Sequence, residues 1–491
     1  MPRKVVVIGS GFAGLSAAAF MAKAGWQVQV LEKHDQAGGR ARRLSAEGFH
    51  FDMGPSWYWM PDVFERFFNQ FGKKVSDQYE LKRLDPSYRI YFDDGPVDIP
   101  ANPEKFKSYL ESIEKGAAAQ LDKFLNEAAY KYQVGMQELV FRPGLSIMEL
   151  LDWKIIRNIF RIDIFSSITK HIESHFQHPK IKQILSFPVL FLGSLPEHTP
   201  ALYSLMNYAD LTLGTWYPMG GMYRIVEAMK AVAEEQGAQF VFNTEARKIN
   251  IENGSVKSVI ASDGKEFFAD VVIGGADYHF IETQLLPEKS RSYSRQYWES
   301  RKMAPSCLLY YIGLNRKVPG LQHHSLFFDA DFTIHARDIY ENPSWPTHPL
   351  FYVSNVTATD PEQAPEGFDN IFILIPVAAG LDGDDITLRE KYFDIVSERF
   401  KHHTGFDLKN HIVLKKTFGP SDFVNEYHAY KGNAYGLANT LMQTANLKPS
   451  CRSKKVKNLF YTGQLTVPGP GVPPALISGE IVAKEVIRCF G

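Results

Sequence analysis

The stretch of sequence that decides the fold is Val5-Val6-Val7-Ile8-Gly9-Ser10-Gly11-Phe12-Ala13-Gly14. Its four β-branched residues predict a buried strand, and the glycines after them allow a tight turn whose backbone N–H groups approach a phosphate closely. A helix predicted over Ala13–Lys23, with Gly25 as its stop, aims its partially positive end at the same phosphate. The stretch therefore predicts a dinucleotide site formed by Gly9, Gly11, Phe12, Ala13 and Gly14.

A second strand and an acid complete this prediction. Gln27–Leu31 has the pattern of a buried strand, and Glu32 ends it at about the ~20-residue offset of a carboxylate that binds a ribose hydroxyl. We include the neighbouring Lys33 in the predicted site. The alternative, a glycine-rich turn without function, is disfavoured because strand, turn, helix, strand and acid follow in order.

Two further glycine motifs indicate which dinucleotide binds. Gly38-Gly39-Arg40 and the segment from Gly48 to Pro55 resemble the second signature of the flavin-containing amine oxidase and carotenoid desaturase superfamily. The resemblance implies FAD, with Gly39 and Arg40 on its pyrophosphate and Gly54-Pro55-Ser56 near the flavin ring. A guanidinium suits a pyrophosphate because its planar fork gives two parallel charge-assisted bonds. The alternative for Arg40 is a surface salt bridge.

Composition limits the other functions. The 491 residues carry a formal net charge of −1, so no general attraction to nucleic acid is expected. Cys307, Cys451 and Cys489 fit no metal spacing and favour a reducing compartment. His171, His175 and His178 are spaced to share one helical face, but no fourth ligand is apparent nearby, so we predict no metal.

Membrane contact is expected without a membrane span. No apolar leader precedes the first strand, and no stretch has the ~18 to 20 uninterrupted apolar residues of a spanning helix. Trp153–Phe165 alternates apolar residues with Lys154, Arg157 and Arg161, which is typical of a helix lying in a membrane interface. The alternative is a core helix with a solvated basic face. We predict a cytoplasmic protein that associates peripherally with the membrane.

The chain length predicts two domains. The predicted fold class is α/β, with a Rossmann-like FAD-binding domain and a discontinuous α+β domain built on a mixed sheet. We assign residues 1–75, 216–290 and 420–491 to the FAD-binding domain, and residues 76–215 and 291–419 to the substrate and membrane-associating domain.

The middle of the chain alternates between these domains. Residues 101–215 are mostly helical in pattern, Tyr223–Glu235 predicts a helix, and residues 240–276 predict a strand, a three-stranded meander and a return strand. In the superfamily, the residue matching Ala246 contacts adenine through its backbone. Residues 305–415 alternate strongly, predicting a sheet with an aromatic face. In this fold the sheet would form the floor of the substrate cavity, and the alternative is that its aromatic strands are ordinary core.

A third motif lies near the C-terminus. A strand at Asn458–Tyr461 leads to Gly463 and Gln464, and a Pro/Gly turn at 468–474 opens a helix that reaches Arg488. Free N–H groups and a positive helix end would then face the flavin pyrimidine edge and stabilise the reduced ring. Val472 and Pro473 are placed in this part of the site.

Along nearly its whole length the chain resembles bacterial-type phytoene desaturases, the carotenoid desaturase family. The likeness rests on the segment Gly48–Pro55, on Asp422-Phe423 with Ala429-Tyr430, and on the ending Gly469–Leu476. The family often has a His-Pro-Gly-Ala-Gly turn where this chain has Val467-Pro468-Gly469-Pro470-Gly471. The implied substrate is a carotenoid: phytoene, or a later-pathway carotenoid such as that of a hydroxycarotenoid 3,4-desaturase.

The resemblance also implies a reaction. Two hydrogens leave a CH2–CH2 pair next to a polyene, one as a hydride to flavin N5 and one as a proton to a base or water. Glu149, in an apolar helical run, and Asp422, shortly before the C-terminal motif, are the candidate acid/base groups. Either carboxylate has the alternative role of a surface or capping group. Since no second dinucleotide motif is visible, oxygen or a membrane quinone is the expected electron acceptor.

Two other functions share these motifs. Amine and porphyrinogen oxidases carry every flavin motif, but the likeness to desaturases outside those motifs argues against them. Rab-escort-like prenyl-binding proteins use the same fold without redox chemistry, and the intact three-part flavin set disfavours them.

Overall fold

The computed structural model describes residues 3–146, 149, 166–190 and 195–491. Within these residues the strands, numbered in chain order, are β1 (Lys4–Ile8), β2 (Gln27–Leu31), β3 (Arg43–Ala46), β4 (Phe49–Asp52), β5 (Leu81–Arg83), β6 (Tyr88–Phe92), β7 (Gly95–Ile99), β8 (Trp216–Pro218), β9 (Gln239–Val241), β10 (Ala246–Glu252), β11 (Ser255–Ala261), β12 (Glu266–Phe268), β13 (Val271–Gly274), β14 (Ser306–Leu314), β15 (His324–Phe327), β16 (Phe351–Asn355), β17 (Asp369–Val377), β18 (Ile412–Phe418) and β19 (Leu459–Tyr461).

The α-helices of the same residues are α1 (Phe12–Lys23), α2 (Pro61–Asn69), α3 (Pro103–Ile113), α4 (Ala117–Val134), α5 (Ile168–Glu173), α6 (Pro179–Leu190), α7 (Leu205–Tyr208), α8 (Tyr223–Glu235), α9 (Tyr278–Phe280), α10 (Arg295–Glu299), α11 (Phe332–Tyr340), α12 (Ile386–Thr404), α13 (Pro420–Tyr427) and α14 (Val472–Phe490). The predicted membrane segment Trp153–Phe165 lies outside the described residues.

A five-stranded parallel sheet with the order β19-β13-β1-β2-β9 forms the nucleotide-binding unit. Val5 and Val7 point into the core that contains α1, α8 and α14, whereas Val6 and Ile8 point into the core beneath the β10-β11-β12 meander. Both faces of β1 are therefore covered, which explains why its sequence is continuously β-branched rather than alternating.

Several predicted boundaries of this unit are confirmed. The first helix begins one residue earlier than predicted, at Phe12, and ends at Lys23, where Gly25 adopts a φ of +82°. The second strand and the helix Tyr223–Glu235 have the predicted bounds. The antiparallel meander β10-β11-β12 follows, and β13 returns to the parallel sheet beside β1.

A seven-stranded mixed sheet, with the order β18-β14-β17-β16-β15-β6-β7, is the centre of the second unit. Its one parallel pair among the described strands is β15–β6. One face packs on α12 through Phe393, Val396 and Phe400. The other face belongs to the same core as α1 and β4, so it looks toward the nucleotide unit.

The α/β fold class, with a nucleotide-binding sheet and a discontinuous α+β unit, is confirmed. The strands of the two large sheets also follow the predicted division of the chain, although the exact domain limits stay a prediction. In the described part of the chain, no helix combines the length and the apolarity needed to cross a bilayer.

Candidate active site

The glycine turn after β1 is closed on one side and open on the other. Gly9 has a φ of +92° and donates its N–H to the Leu31 carbonyl at 2.8 Å. A Cβ on Gly14 would overlap the Gly9 carbonyl oxygen, so position 14 requires glycine. A Cβ on Gly11 would meet only the Gly38 carbonyl oxygen, 4.0 Å away. The open space over Gly11 is where N–H groups at a helix start bind a phosphate.

Glu32 is buried at the end of β2, with 4% of its surface exposed. One carboxylate oxygen accepts the Ser10 N–H at 2.8 Å and the Ser10 hydroxyl at 2.5 Å, and the other accepts the His34 N–H at 3.0 Å. A carboxylate offers about four acceptor positions, so one is left for a ribose hydroxyl. The neighbouring Lys33 donates instead to the Asn425 carbonyl at 2.6 Å, and its role toward the nucleotide stays a prediction.

Ala246 lies next to the Glu32 end of the site. The Thr244 N–H donates to the Glu32 carbonyl at 2.7 Å, which holds the segment before β10 against β2. Ala246 itself is buried and pairs with Ala261 in the meander. Its position fits the predicted backbone contact with adenine.

The Gly38-Gly39-Arg40 turn packs directly on the first glycine turn. The Gly38 N–H donates to the Ser10 carbonyl at 2.9 Å, and a Cβ on Gly39 would lie 3.3 Å from the Gly11 Cα atom. Gly38 and Gly39 have φ values of +117° and +55°. The two motifs that were predicted to share one pyrophosphate therefore lie side by side.

Arg40 is held inside the protein with hydrogen-bonding capacity left over. Its Nη2 donates to the Asn433 carbonyl at 3.3 Å, and its guanidinium lies 5.4 Å from the centre of the Tyr427 ring. With the Gln464 amide oxygen turned toward it, both terminal nitrogens of Arg40 also donate there, at 3.3 and 3.0 Å. Burial lowers the pKa of Arg40, which the carboxylate of Asp277 partly offsets.

Among the residues that the structure describes, the buried Arg40 Nε atom has no hydrogen-bond partner. An unpaired donor of a buried cation is costly, about 1–3 kcal/mol or more, unless an anion binds it. The pyrophosphate of FAD fits this requirement. The burial of Arg40 disfavours the alternative of a surface salt bridge, and its contact with the pyrophosphate stays a prediction.

The C-terminal motif opens the longest helix of the nucleotide unit. Gly463 has a φ of +108° and donates its N–H to the Ser478 hydroxyl at 3.0 Å. Gly471, with a φ of +112°, precedes Val472 and Pro473 at the start of α14. The first N–H groups of a helix have no partners within the helix, and here they lie beside the Pro/Gly turn, as predicted.

The first and the third motifs meet through close helix packing. A Cβ on Gly479 in α14 would overlap the Ala13 carbonyl oxygen at the start of α1. A Cβ on Gly463 would lie 3.9 Å from the Ala13 Cβ atom, and Phe12 is buried beside them. Residues more than 400 positions apart in the sequence therefore form one site.

The Gly54-Pro55-Ser56 turn connects the nucleotide unit to the mixed sheet. A Cβ on Gly54 would lie 2.6 Å from the Arg40 carbonyl oxygen, so this turn sits against the pyrophosphate motif. The Tyr311 hydroxyl of β14 donates to the Met53 carbonyl at 2.7 Å. On the other side, Trp57, the residue after Ser56, packs its ring on that of Tyr352 in β16, with the ring centroids 5.6 Å apart.

Asp52, just before this turn, is an internal carboxylate. It accepts the N–H groups of Met222 at 2.8 Å and Tyr223 at 3.0 Å, at the start of α8. Burial raises the pKa of Asp52 to about 6, against the opposing effect of these two hydrogen bonds. Asp52 lines a small cavity together with Ser56, Tyr217 and Ser354.

The face of the mixed sheet that looks toward the nucleotide unit is aromatic and apolar, as predicted. Its core-facing residues are Cys307, Leu309, Tyr311, Leu326, Tyr352, Phe372 and Leu374. The Trp57 ring, just after the Gly54 turn, packs on the rings of Tyr88, Phe187 and Tyr352 with centroids 5.4–5.6 Å apart. Such a surface suits a flat, conjugated hydrocarbon, because aromatic faces stack without needing hydrogen bonds.

A polar cluster interrupts this aromatic face. His324 is completely buried, and its ring stacks on the Trp57 ring with the centroids 4.0 Å apart. The His324 Nδ1 atom forms a hydrogen bond with the Tyr352 hydroxyl at 2.6 Å. Burial lowers the pKa of His324 well below its usual value, so the imidazole is neutral. The described part of the chain offers no hydrogen-bond partner to the His324 Nε2, the Trp57 Nε1 or the hydroxyls of Ser325 and Ser354. These atoms offer hydrogen bonds to water or to a ligand.

Glu149 holds a turn in place. Its carboxylate accepts the N–H groups of Gly144 at 3.0 Å, Leu145 at 2.8 Å and Ser146 at 3.1 Å. A Cβ on Gly144 would lie 3.0 Å from the Val467 side chain, so this turn packs on the Pro/Gly turn before α14. Glu149 is thus close to the flavin end of the site in a capping role, and its catalytic role stays a prediction.

Asp422 is likewise engaged in structure. It accepts the Gly419 N–H at 2.8 Å at the start of α13 and pairs with Arg389 Nη1 at 2.7 Å. This is the capping geometry that the sequence left open as its alternative. A catalytic role for Asp422 stays a prediction.

The histidine prediction is wrong in its geometry. Helix α5 ends at Glu173 and the next helix begins at Pro179, so His171, His175 and His178 do not share a helical face. His171 and His175 instead pack together, 5.1 Å apart, beside the Glu127 carboxylate. No group of three or more metal-ligating side chains occurs in the part of the chain that is described.

Some of these site residues were not predicted from the sequence. Asn433 and Tyr427, which hold Arg40, lie almost 400 positions from it and carry no motif. His324 and Trp57 carry a weak signal, since His323-His324 is an unusual start for an apolar strand and Trp57 follows the Gly54 turn.

The geometry defines a flavoprotein of the amine oxidase fold, and the family comparison agrees. The flavin-containing amine oxidoreductase family matches residues 12–487, so the chain belongs to this family. It is an FAD-dependent oxidoreductase. The residues that would hold FAD are those of the glycine turns, Glu32, Arg40 and the start of α14.

Two relatives are similar along the whole chain. A carotenoid 3,4-desaturase of Haloarcula japonica is 40% identical over 99% of this chain and 98% of its own length. A zeta-carotene-forming phytoene desaturase of Myxococcus xanthus is 32% identical over 99% of this chain and 94% of its own. Among solved structures, an oxidoreductase from Methanosarcina mazei has a TM-score of 0.63 at 18% identity, covering 98% of this chain and all of that one. This last likeness shows the fold alone.

Proposed function

We propose that this protein is a carotenoid desaturase, which removes two hydrogens from a CH2–CH2 pair beside a polyene. The observation that carries the proposal is the 40% identity with a carotenoid 3,4-desaturase over nearly the full length of both chains. A match of this extent includes the mixed sheet as well as the nucleotide motifs. Amine and porphyrinogen oxidases share the latter, so the likeness in the sheet favours a carotenoid.

The aromatic face of the mixed sheet supports this substrate class. The ring centroids of Tyr311 and Phe372 are 5.6 Å apart. The Trp57 ring stacks on the His324 ring and also packs on the ring of Tyr352. Tyr311 also donates to the Met53 carbonyl beside the Gly54 turn, so the face runs up to the predicted flavin position. A polyene lying on this face would reach the cofactor without passing through water.

The protein contributes orientation and a dry environment to the reaction. When bound, FAD would be the two-electron acceptor that takes the hydride. The aromatic face, whose residues are buried, would hold the CH2–CH2 pair in place away from solvent. The proton that leaves the substrate goes to a base or to water, for which Glu149 and Asp422 are the predicted groups.

The electron acceptor that we propose is oxygen or a membrane quinone. The sequence has one glycine motif of the dinucleotide type at the start of a βαβ unit. Glu32 of that unit is the residue predicted to bind the ribose of FAD. NAD(P) would need a second such site. Formation of NADH or NADPH in amounts equal to the desaturated product would contradict this acceptor.

We also propose that the enzyme works at the membrane surface on the cytoplasmic side. A carotene has a negligible concentration in water, since each buried CH2 favours the bilayer by about 0.8 kcal/mol. The substrate must therefore be taken from lipid. The predicted contact is Trp153–Phe165, whose Lys154, Arg157 and Arg161 would meet anionic head groups.

The test of the function is a substrate panel. FAD-loaded protein would be incubated with acyclic, cyclised and hydroxylated carotenes in liposomes, and in parallel with a polyamine and a porphyrinogen. We expect products that lack two hydrogens, or a multiple of two, from at least one carotene and from neither other compound. Oxidation of the polyamine or the porphyrinogen, with every carotene unchanged, would contradict the proposal.

A further inference from the structure

Lys448 is a buried amine beside the Pro/Gly turn that precedes α14. Only 4% of its surface is exposed, and its Nζ donates to the Asn439 side-chain oxygen at 2.9 Å. The same Nζ would lie 2.9 Å from a Cβ on Gly469, which has a φ of +140°. The amine is therefore in contact with the turn itself.

This amine has no protein counter-charge in the described structure. No carboxylate among the described residues lies within ion-pair distance of it, and Asn439 is neutral. Burial lowers the pKa of Lys448 to about 7, because nothing charged compensates for the loss of solvation. Lysines are almost never this deeply buried unless they are paired, so the position needs an explanation beyond packing.

A second source of positive potential lies at the same turn. The 19-residue helix α14 begins at Val472, directly after the turn, and the start of a helix carries a partial positive charge. A buried amine and a helix start together favour an anion between or beside them. The C-terminal motif predicts that the pyrimidine edge of the flavin lies at this turn, and reduction would put a negative charge on that part of the ring.

We infer that Lys448 is an electrostatic partner of FAD, whose ammonium stabilises the reduced cofactor and raises its reduction potential. In the desaturation, the substrate gives up a hydride, which carries both electrons, and a proton. Lys448 balances the one negative charge that the hydride brings to the cofactor. The substrate proton is not routed through Lys448, so it is a positioning charge and not the base of the reaction.

The inference rests on FAD binding and is tested without any carotenoid. Two properties of the FAD-loaded protein report a positive charge near the pyrimidine edge: its two-electron midpoint potential and its affinity for sulfite, which adds to the ring to give an anionic adduct. We would measure both for Lys448→Gln and for Asn439→Asp. The second variant keeps the lysine but gives it a counter-charge at nearly constant shape.

In both variants we expect sulfite affinity to fall by about tenfold and reduction to become about tenfold less favourable, which corresponds to a midpoint lowered by about 30 mV. Lys448→Arg should remain near the parent. Lys455→Gln, an exposed lysine in the same segment, is the matched control and should change neither property.

Parent-like potential and sulfite affinity in FAD-loaded Lys448→Gln and Asn439→Asp would overturn the inference. If Lys448→Gln does not fold, Asn439→Asp decides the matter alone. Loss of desaturation with an unchanged potential would also overturn it, since Lys448 would then act on the substrate. Because neither main readout uses a carotenoid, the inference and the proposed function can fail separately.

Discussion

Gly11 and Glu32 act on the nucleotide in different ways. Gly11 leaves an open space next to the Gly38 carbonyl, and Glu32 supplies an acceptor while it also fixes Ser10 in the turn. A side chain at the first position would fill the space of the phosphate. Loss of the carboxylate at the second would remove the ribose contact and release Ser10.

We expect Gly11→Val and Glu32→Ala each to lower FAD occupancy. For Glu32→Ala, loss of hydrogen bonds to a charged group corresponds to about 1.5–3 kcal/mol, or roughly ten- to hundredfold weaker binding. The measurement is the ratio of flavin to protein absorbance after gel filtration, followed by titration with FAD. Glu252→Ala, an exposed carboxylate at the end of β10, is the control. Full occupancy in both variants would refute the nucleotide site.

Asp52 predicts a pH dependence of stability. Its pKa is raised to about 6 in the folded protein from a usual 3.8, so the folded state binds the proton more tightly than the unfolded state does. Ionisation of Asp52 therefore costs stability as pH rises from about 4 to 6, by up to about 3 kcal/mol. The neutral Asp52→Asn variant lacks this loss.

The comparison is between melting temperatures of the parent and Asp52→Asn at pH 4, 5, 6 and 7 with excess FAD. We expect the melting temperature of the variant minus that of the parent to increase as pH rises across this range, whatever the difference is at pH 4. A difference between the two proteins that stays constant with pH would show that Asp52 titrates normally.

At the scale of elements, the crossing of α1 and α14 is the contact that joins the two ends of the chain. Gly479 faces the Ala13 carbonyl and the Ser16 side chain with no room for a Cβ. Gly479→Ala would push the helices apart and move the start of α1 away from the C-terminal turn. Overpacking of this kind costs about 1–3 kcal/mol.

We expect Gly479→Ala to lower the melting temperature and to weaken FAD binding together, because one contact supports both. Lys484→Arg, which keeps a cation beside the buried Glu480 carboxylate on the exposed side of the same helix, should change little. Thermal unfolding of the two variants measures the melting temperature, and FAD titration measures the affinity for the cofactor. A variant Gly479→Ala with parent-like FAD affinity would show that the helix crossing does not position the nucleotide.

The elements of the nucleotide unit were predictable because their signals are local. The β-branched run, the glycine turn and Glu32 lie within thirty residues, and the helix Tyr223–Glu235 has an amphipathic period and a preceding Gly-Gly turn. The partners of Arg40 and the cluster around His324 could not be predicted in the same way. They depend on which distant strands and loops meet, and neither composition nor periodicity encodes such pairings.

The histidine error has a similar origin. His171, His175 and His178 have helical spacing, but spacing alone does not show that a helix continues. Pro179 starts α6, and the segment between Glu173 and Pro179 turns instead. A proline immediately after the third histidine was the signal against a common helical face.

For the whole molecule, the two units divide the work of one reaction. The parallel sheet and its glycine turns are predicted to hold the nucleotide, and the aromatic face of the mixed sheet is the surface that we propose for the hydrocarbon. The Gly54-Pro55-Ser56 turn lies against Arg40 on one side, and Trp57, directly after the turn, packs on Tyr352 of the mixed sheet.

Membrane contact is a property of the whole molecule and gives a further prediction. Replacing Lys154, Arg157 and Arg161 by Glu should weaken sedimentation with anionic liposomes and slow the turnover of liposome-embedded carotene, while FAD stays bound. Parent-like binding and turnover in this triple variant would place the contact on another surface. Lys230→Glu, on α8 of the nucleotide unit, controls for charge reversal elsewhere.

The central claim is that the flavoprotein removes hydrogen from a carotenoid, and an anaerobic single-turnover experiment tests it most directly. Excess liposome-embedded carotene would be mixed with oxidised, FAD-loaded protein in the absence of oxygen and quinone. The products would then be separated, and their molecular masses would be determined by mass spectrometry. We predict one product lacking two hydrogens per bound FAD, with further product only after an acceptor is added. Intact carotene in an FAD-saturated sample would contradict the claim.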